Sequence, residues 1–201
     1  MYLIGVAGGS GSGKTTFAKK VLKHLEEHQV EVLHQDSYYL PQLGPGLIDS
    51  KKRPNFDHPD AFDWELLIDH LGKLKKNESI KMPVYDFKTN SRTEDLIDVG
   101  PTKVIIFEGI FTLYNQDVRN LLDVKCFLQV EADIRFTRRL HRDVKERGRS
   151  LESVIEQYYD TVRPMYLEFL EPQKQFADFT VGEETDMAAK ILADHIKKLQ
   201  Q

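Results

Sequence analysis

A glycine-rich segment near the amino terminus carries the clearest chemical signal in the sequence. Residues 8–15 read GGSGSGKT and match the pattern G-x-x-x-x-G-K-[ST] in full. Glycines let the backbone wrap around phosphate oxygens, so that peptide N–H groups and a helix N-terminus face the anion. Lys14 would add a positive charge for the outer phosphates, and Thr15 would offer its hydroxyl to Mg²⁺. The residues predicted to bind a nucleoside triphosphate are Gly8, Gly9, Ser10, Gly11, Ser12, Gly13, Lys14, Thr15 and Thr16.

Two acidic residues follow apolar segments that are typical of buried strands. Asp36 lies just beyond residues 30–33, and Glu108 follows residues 103–107. Open α/β sheets bind ligands at the carboxyl ends of their strands, so we expect both carboxylates beside a magnesium ion held with Thr15. One carboxylate can hold the ion while the other deprotonates an attacking hydroxyl, and we assign Asp36 as the base. An apolar strand also often ends in an acid without binding metal, which leaves that alternative open for Glu108.

A basic helix is predicted over residues 132–147, followed by Arg147-Gly148-Arg149. Its arginines are spaced three or four residues apart, so several share one face: Arg135, Arg138, Arg139 and Arg142. One interpretation is a solvated face paired with acids of the same helix, namely Asp133, Asp143 and Glu146. Alongside the phosphate motif, a second interpretation is a lid over residues 138–150 that closes on the transferred phosphoryl group. Arg139 and Arg142 are then catalytic candidates, together with Lys14 and Asp36.

Alternating strands and helices predict an α/β fold with a parallel sheet flanked by helices, as in P-loop NTPases. We expect strands near residues 2–7, 30–33, 103–107, 124–130 and 179–181. Helices are expected over residues 16–27, after an N-cap at Asp63, over residues 132–147, from Leu151 to a bend or end around Pro164, and over residues 187–199. Residues 79–100 resemble a small β-hairpin lobe with a turn at 88–92. The irregular segment 35–63 is expected on the substrate side.

The composition favours one domain spanning residues 1–201, with 40% hydrophobic and 30% charged residues. A formal charge of -4 does not favour nucleic acid as the main partner. The single cysteine, Cys126, excludes an intramolecular disulfide and suits a reducing compartment. The first residues lack the features of an export signal, and no segment has the composition of a membrane span. We therefore expect a cytoplasmic protein.

Several segments, in this order and spacing, resemble the uridine kinase (uridine-cytidine kinase) family over nearly the whole chain: GGSGSGKTT at 8–16, QDSYY at 35–39, NFDHPDAFD at 55–63, PVYDF at 83–87, FEGI at 107–110 and RRLHRDVKERGR at 138–149. The resemblance implies a five-stranded parallel sheet with a hairpin lobe over the nucleoside. It also implies transfer of the γ-phosphate of ATP or GTP to the 5′-hydroxyl of uridine or cytidine, as in pyrimidine salvage, with Mg²⁺ as cofactor. Members of this family are typically homotetramers.

The resemblance also implies roles on the nucleoside side of the site. Asp57 would hold the ribose hydroxyls, because a carboxylate accepts two hydrogen bonds well. The nucleoside pocket would be lined by Tyr39, Tyr85 and Phe87, with Gln157 as a further contact, and the arginines closing over phosphates and substrate would be Arg139, Arg142, Arg147 and Arg149. Without the resemblance, Asp57 could cap a turn, and Tyr85 and Phe87 could be hairpin core.

The hairpin turn departs from the family pattern. Members usually carry histidine a few residues after the PVYDF-like segment, where it recognises the pyrimidine edge, but this chain has Asn90. Asparagine donates and accepts hydrogen bonds, yet it is shorter than histidine and does not titrate. The sequence thus leaves open a kinase of another small hydroxylated substrate. A non-kinase nucleotide-dependent regulatory protein is the second alternative, although the sequence has neither an N-K-x-D nor an L-S-G-G-Q motif.

Overall fold

The computed structural model describes residues 1–25, 30–48, 53–87 and 89–199. Five parallel strands form the main sheet: β1 (Tyr2–Gly8), β2 (Val30–His34), β5 (Val104–Gly109), β6 (Val124–Leu128) and β7 (Phe179–Val181). Two antiparallel strands form a separate hairpin: β3 (Ile80–Asp86) and β4 (Ser91–Val99). The helices are α1 (Lys14–Leu22), α2 (Trp64–Lys75), α3 (Gln116–Leu121), α4 (Ala132–Lys145), α5 (Leu151–Gln157), α6 (Arg163–Met165) and α7 (Asp186–Leu199). The predicted fold class is confirmed.

The order of the strands in the sheet is β2-β5-β1-β6-β7. The carboxyl ends of β2, β5 and β1 therefore lie side by side, and the register pairs Glu108 with both His34 and Val6. The glycine-rich segment follows β1, and Asp36 lies in a 3-10 turn that follows β2. Strand order thus brings together three segments that are far apart in sequence, at the edge where parallel sheets bind ligands.

Alternating side chains along the central strands form a core on each face of the sheet. Leu3 and Phe107 pack on the face covered by α2, whereas Ile4 and Ile106 pack on the face covered by α1 and α7. This is the pattern expected when helices cover both faces of a parallel sheet, because successive strand residues point to opposite sides. Cys126 is buried in the second core, where burial raises the pKa of its thiol to about 12.

The hairpin joins the main body through the start of α2. Asp63 caps this helix as predicted, because its Oδ1 accepts a hydrogen bond from the Leu66 N–H at 3.1 Å. Its Oδ2 accepts a hydrogen bond from Arg92 of β4, also at 3.1 Å. One carboxylate therefore fixes both the start of α2 and the position of the hairpin.

Two helices differ in extent from their predicted ranges. The helix expected over residues 16–27 ends already at Leu22, because residues 23–25 form turns instead. Residues 26 and 27 of that prediction, and Lys88 of the predicted hairpin turn, lie outside the described residues. The helix from Leu151 does not end near Pro164: helical structure continues to Phe176 through two π-helical turns, Tyr158–Val162 and Tyr166–Leu170. A wider π turn accommodates the proline ring, which would clash with the preceding turn of an ordinary α-helix. Within the described part of the chain, no helix is both long and apolar enough to cross a membrane.

Candidate active site

The glycine-rich segment forms the turn between β1 and α1. Gly13 has φ 91° at the N-cap position of α1, and Gly11 has φ 80°, a left-handed region that favours glycine. A Cβ atom at Gly11 would lie 2.2 Å from the Arg135 carbonyl oxygen. Lys14 Nζ donates to the Gly9 carbonyl at 3.2 Å, and burial lowers the pKa of Lys14. The first turn of α1 contains no acid, so its positive end suits a phosphate.

Thr15, Glu108 and His34 meet at the carboxyl ends of the central strands. The Thr15 hydroxyl donates to Glu108 Oε1 at 2.7 Å, and His34 Nδ1 lies 2.7 Å from the same oxygen. Burial favours the neutral acid, but the hydrogen bond from His34, the charge of Lys14 and the bond from Thr15 outweigh it and lower the pKa of Glu108. These contacts favour the ionised carboxylate of Glu108, which is the form that could bind a cation.

Asp36 faces the same space from the 3-10 turn after β2. Burial raises its pKa, the negative charge of Glu108 raises it further, and Lys14, Arg147 and Arg142 oppose the change. Two neighbouring carboxylates repel each other, and a bound cation would relieve that repulsion.

The donor set around Glu108 fits Mg²⁺. Thr15 and Glu108 present two oxygens 2.7 Å apart, and Asp36 adds a carboxylate. Among the described residues no group of three His, Cys, Asp or Glu side chains could hold a metal by itself. Mg²⁺ is commonly bound through one or two carboxylates, with phosphate oxygens and waters completing its shell. Thr15, Asp36 and Glu108 would hold the ion in this way, and their metal-binding role stays a prediction.

Four arginines of α4 and the following turn surround Asp143, whose side chain is fully buried. Its carboxylate lies 2.8 Å from Arg142, 3.5 Å from Arg139 and from Arg147, and 3.7 Å from Arg149. The solvated-face interpretation is therefore right about pairing with Asp143. Exposure differs along the face, since Arg138 is exposed and pairs with Glu183, whereas Arg135 and Arg139 are buried. Four guanidinium groups around one carboxylate leave a net positive charge that can attract phosphate.

Arg139 connects this cluster to the glycine-rich turn. Its guanidinium donates to Ser10 Oγ and to Gln157 Oε1, each at 2.9 Å, and Arg149 donates to the same Gln157 oxygen. Gln157 therefore uses its carbonyl oxygen within the protein, which leaves its amide N–H groups for a ligand. The contact to Ser10 positions Arg139 beside the segment predicted to hold phosphate.

An aromatic wall lies on the hairpin side of the site. The ring centroids of Tyr39 and Tyr85 are 5.0 Å apart, those of Tyr85 and Phe87 are 5.2 Å apart, and the Arg147 guanidinium lies 3.9 Å above the Phe87 ring. Tyr85 packs against a small core around Tyr39, whereas Phe87 is exposed, so hairpin-core packing describes Tyr85 only in part. Asn90 is exposed at the hairpin turn with φ 53°, a conformation that asparagine tolerates.

Asp57 lies between the aromatic wall and the helix that follows the lid. Its carboxylate does not cap its own turn but accepts a hydrogen bond from Thr161 at 3.0 Å, and its N–H donates to Asn55 Oδ1 at 3.1 Å. No local sequence pattern points to Thr161 or His34 as a site residue, and the sequence indicates Asp143 only as a partner of arginines on its own helix. A spacing of four residues from Gln157 to Thr161 is the single local signal that could have indicated the first of these.

One cleft of about 1320 Å³ brings most of the predicted residues together. It is lined by the predicted residues Ser10, Gly11, Gly13, Lys14, Thr15, Thr16, Asp36, Tyr39, Asp57, Tyr85, Phe87, Asn90, Glu108, Arg139, Arg142, Arg147, Arg149 and Gln157. Gly8, Gly9 and Ser12 do not line it, because they are buried behind the turn. The cleft is large enough for a nucleotide and a second small ligand.

Relatives of known name match nearly the whole chain. The sequence model of a family described as "Phosphoribulokinase / Uridine kinase family" matches residues 3–188, which include every predicted site residue. A protein named uridine kinase from Lactobacillus helveticus is 46% identical over 98% of this chain and 94% of its own length. Another so named, from Anoxybacillus flavithermus, is 50% identical over 90% of this chain and 85% of its own. The structure of phosphoribulokinase from Rhodobacter spheroides shares the fold, with a TM-score of 0.63 and 14% identity over 90% of this chain and 69% of its own.

Proposed function

Because the chain belongs to the phosphoribulokinase/uridine kinase family, we propose that it is a nucleoside kinase that transfers the γ-phosphate of ATP or GTP to the 5′-hydroxyl of uridine or cytidine. The observation that carries the proposal is the single cleft that joins the glycine-rich turn to the aromatic wall and Asp57. Asp36 interacts electrostatically with Lys14 and with Tyr85, one on each side of this cleft. It therefore lies where donor and acceptor would meet.

In this proposal each group has a distinct task during transfer. Asp36 accepts the proton of the 5′-hydroxyl while the hydroxyl oxygen forms a bond to the γ-phosphorus and the bond to the bridging oxygen breaks, releasing a nucleoside diphosphate. Lys14, Arg139 and Arg142 stabilise the charge on the phosphoryl oxygens. Thr15, Asp36 and Glu108 would hold Mg²⁺, which would supply further positive charge to stabilise the phosphates.

The nucleoside itself would be held by the opposite side of the cleft. Asp57 accepts hydrogen bonds from the ribose hydroxyls, and Tyr39, Tyr85 and Phe87 enclose the base. Burial raises the pKa of Tyr39 well above its usual value, so its hydroxyl stays protonated and can donate. Gln157 offers its amide N–H groups, and Arg147 and Arg149 close the side beside the lid.

We also propose a cellular role, a location and an oligomeric state for the protein. We place the protein in pyrimidine salvage in the cytoplasm, as one kinase domain that includes the hairpin lobe at about 79–100 and the lid at about 138–150. The charge of -4 agrees with small-molecule rather than nucleic-acid partners. A homotetramer follows from the family resemblance, and exposed Leu96 and Ile97 on the hairpin would be available to such an interface.

Asn90 bears most directly on which base the cleft accepts. Its side chain is shorter than the histidine usual in the family and stands exposed at the hairpin turn. A different nucleoside, or another small hydroxylated acceptor, would retain every phosphate-side role. A panel of acceptors therefore belongs in the first experiment.

The test is Mg²⁺-dependent phosphate transfer from ATP and from GTP to uridine, cytidine and a panel of other nucleosides, with wild type and Asp36→Asn. We expect Asp36→Asn to lower kcat by roughly 10²–10⁴-fold while ATP still binds, since general base catalysis contributes about that much. Asp60→Asn is the matched control, because Asp60 is an exposed carboxylate on a neighbouring turn. Tight ATP binding without transfer to any nucleoside would overturn the proposal.

A further inference from the structure

A π-helical turn follows α5 where the helix passes the cleft. Over Tyr158–Val162 the hydrogen bonding widens, and the Arg163 N–H bonds to the Tyr158 carbonyl, five residues back. Such single π turns insert one residue and redirect the side chains around them, and they often occur at functional sites. Gln157, the residue just before this π turn, and Thr161, within it, both line the cleft. The insertion therefore turns Thr161 towards the ligand-binding space.

The Thr161 hydroxyl reaches the carboxylate of Asp57. Its Oγ1 lies 3.0 Å from Asp57 Oδ2 and 3.2 Å from the Gln157 carbonyl oxygen. A hydroxyl has one hydrogen to donate, and a charged acceptor makes the stronger bond, so the proton is directed towards Asp57. In the described part of the chain, Thr161 is the single side chain that donates to this carboxylate.

Asp57 is almost completely buried, with 9% of its surface exposed. A carboxylate in that setting needs hydrogen bonds, and each ionised carboxylate offers about four acceptor positions. Thr161 occupies one position on Oδ2, and Oδ1 has no protein donor among the described residues. Since Asp57 lines the cleft, a ligand there with hydroxyl or N–H donors could bond to its remaining acceptor positions.

The same helix also fixes the chain segment that carries Asp57. Arg53 lies 3.0 Å from Glu156 and 2.5 Å from Asp160, which ties the segment just before Asp57 to the residues around the π turn. Asn55 then accepts the Asp57 N–H. Backbone and side chain of Asp57 are thus both set by residues 156–161.

We infer that Thr161 is a positioning residue for ribose recognition: it holds one oxygen of Asp57 so that the other accepts from the vicinal ribose hydroxyls. The inference rests on the proposed function and adds a specificity role that the sequence did not indicate. A fixed carboxylate discriminates between a ribose and a 2′-deoxyribose better than a rotating one, because both hydroxyl bonds form without reordering the acceptor.

The test compares uridine with 2′-deoxyuridine in wild type, Thr161→Val and Thr161→Ser. Valine matches the shape of threonine but cannot donate, whereas serine keeps the hydroxyl. We expect Thr161→Val to raise KM for uridine about 10-fold and to reduce the preference for uridine over 2′-deoxyuridine, with KM for ATP unchanged. Thr161→Ser should keep most of the wild-type preference. A merely structural role would instead lower kcat/KM for both nucleosides equally.

A second pair of variants separates the contact with Asp57 from any other effect. In an Asp57→Asn background, Thr161→Val should have little further effect on the uridine preference, because the carboxylate to be positioned is gone. An unchanged preference in Thr161→Val, or equal effects with and without Asp57, would overturn the inference while leaving the kinase intact. A wild-type protein that phosphorylates no nucleoside would overturn the proposed function and the inference with it.

Discussion

At the scale of single residues, a buried polar pair supports the turn that carries Asp36. Tyr38 belongs to the same 3-10 turn, and its hydroxyl lies 3.0 Å from Nδ1 of His70 on α2. The two rings meet edge to face, with centroids 5.7 Å apart. Burial lowers the pKa of His70 below its usual value of 6.5. The neutral imidazole is therefore the form that the folded protein favours.

This pair predicts a pH dependence of stability. Because the pKa of His70 is lower in the folded than in the unfolded chain, its contribution is complete above about pH 6.5 and is lost as the pH falls below that value. Denaturant unfolding at pH 7.5 and pH 5 should show His70→Gln losing less stability on acidification than wild type, by at most about 1.4 kcal/mol per pH unit. His24→Gln, at an exposed histidine, is the control. Identical acid sensitivity of wild type and His70→Gln would contradict this account.

The residues within local motifs could be predicted from the sequence, but those joined across the fold could not. Lys14 and Thr15 stand in a contiguous pattern whose backbone geometry follows from its glycines. Thr161 and Asp57 are 104 positions apart, and their contact depends on a π turn that has no composition signal. His34 became part of the site through the register of β2 against β5. The register between distant strands and the irregular turns within a helix both depend on tertiary contacts. Local sequence patterns therefore do not predict them.

At the scale of elements, α4 and the turn after it form one electrostatic unit around Asp143. The helix continues to Lys145, and Gly148 then adopts φ 66° so that Arg149 folds back towards Asp143. One Asp143 oxygen, Oδ2, is buried without a hydrogen bond, although Arg139 and Arg149 lie within 3.7 Å. The lid arginines thus depend on one buried counter-charge for their arrangement.

Asp143→Asn should therefore disturb both folding and phosphate binding. Removing one partner from a buried charge cluster leaves like charges unopposed, which we expect to lower the free energy of unfolding by about 3 kcal/mol and kcat/KM for ATP at least about 10-fold. Lys145→Gln removes an exposed charge from the same helix and should change both quantities little. Denaturant unfolding and steady-state kinetics measure the two effects. Wild-type values in Asp143→Asn would show that the arginines are ordered by other contacts.

The positions of strands and helices could be predicted where the sequence carries a clear local signal. The prediction failed where that signal is weak. Strand β7 has the predicted limits, and α7 starts one residue earlier than expected. Helix α3 was not predicted, because six residues are too few for a clear apolar period; the Asn115 cap, which accepts from Asp117 and Val118, was the available signal. Pro164 indicated a helix bend or end, and the helical structure does not end there but continues through the adjoining π turns.

At the scale of the whole molecule, the predicted site combines groups from the main sheet with groups from segments outside it. Three neighbouring strand ends lead into the groups predicted to bind phosphate and metal, while the aromatic wall and Asp57 lie on segments outside the main sheet. This division explains why phosphate-side roles follow from the sequence motif and acceptor-side roles do not. The groups proposed to select the acceptor meet only in the folded chain.

The central claim is transfer of the γ-phosphate to a nucleoside 5′-hydroxyl, and the most direct measurement identifies the product. Wild-type protein should be incubated with ATP, Mg²⁺ and uridine, and the products resolved by phosphorus NMR and mass spectrometry. The account predicts uridine 5′-monophosphate and ADP in equal amounts, with no reaction when Mg²⁺ is removed by a chelator. ADP and free phosphate without a phosphorylated nucleoside would contradict it.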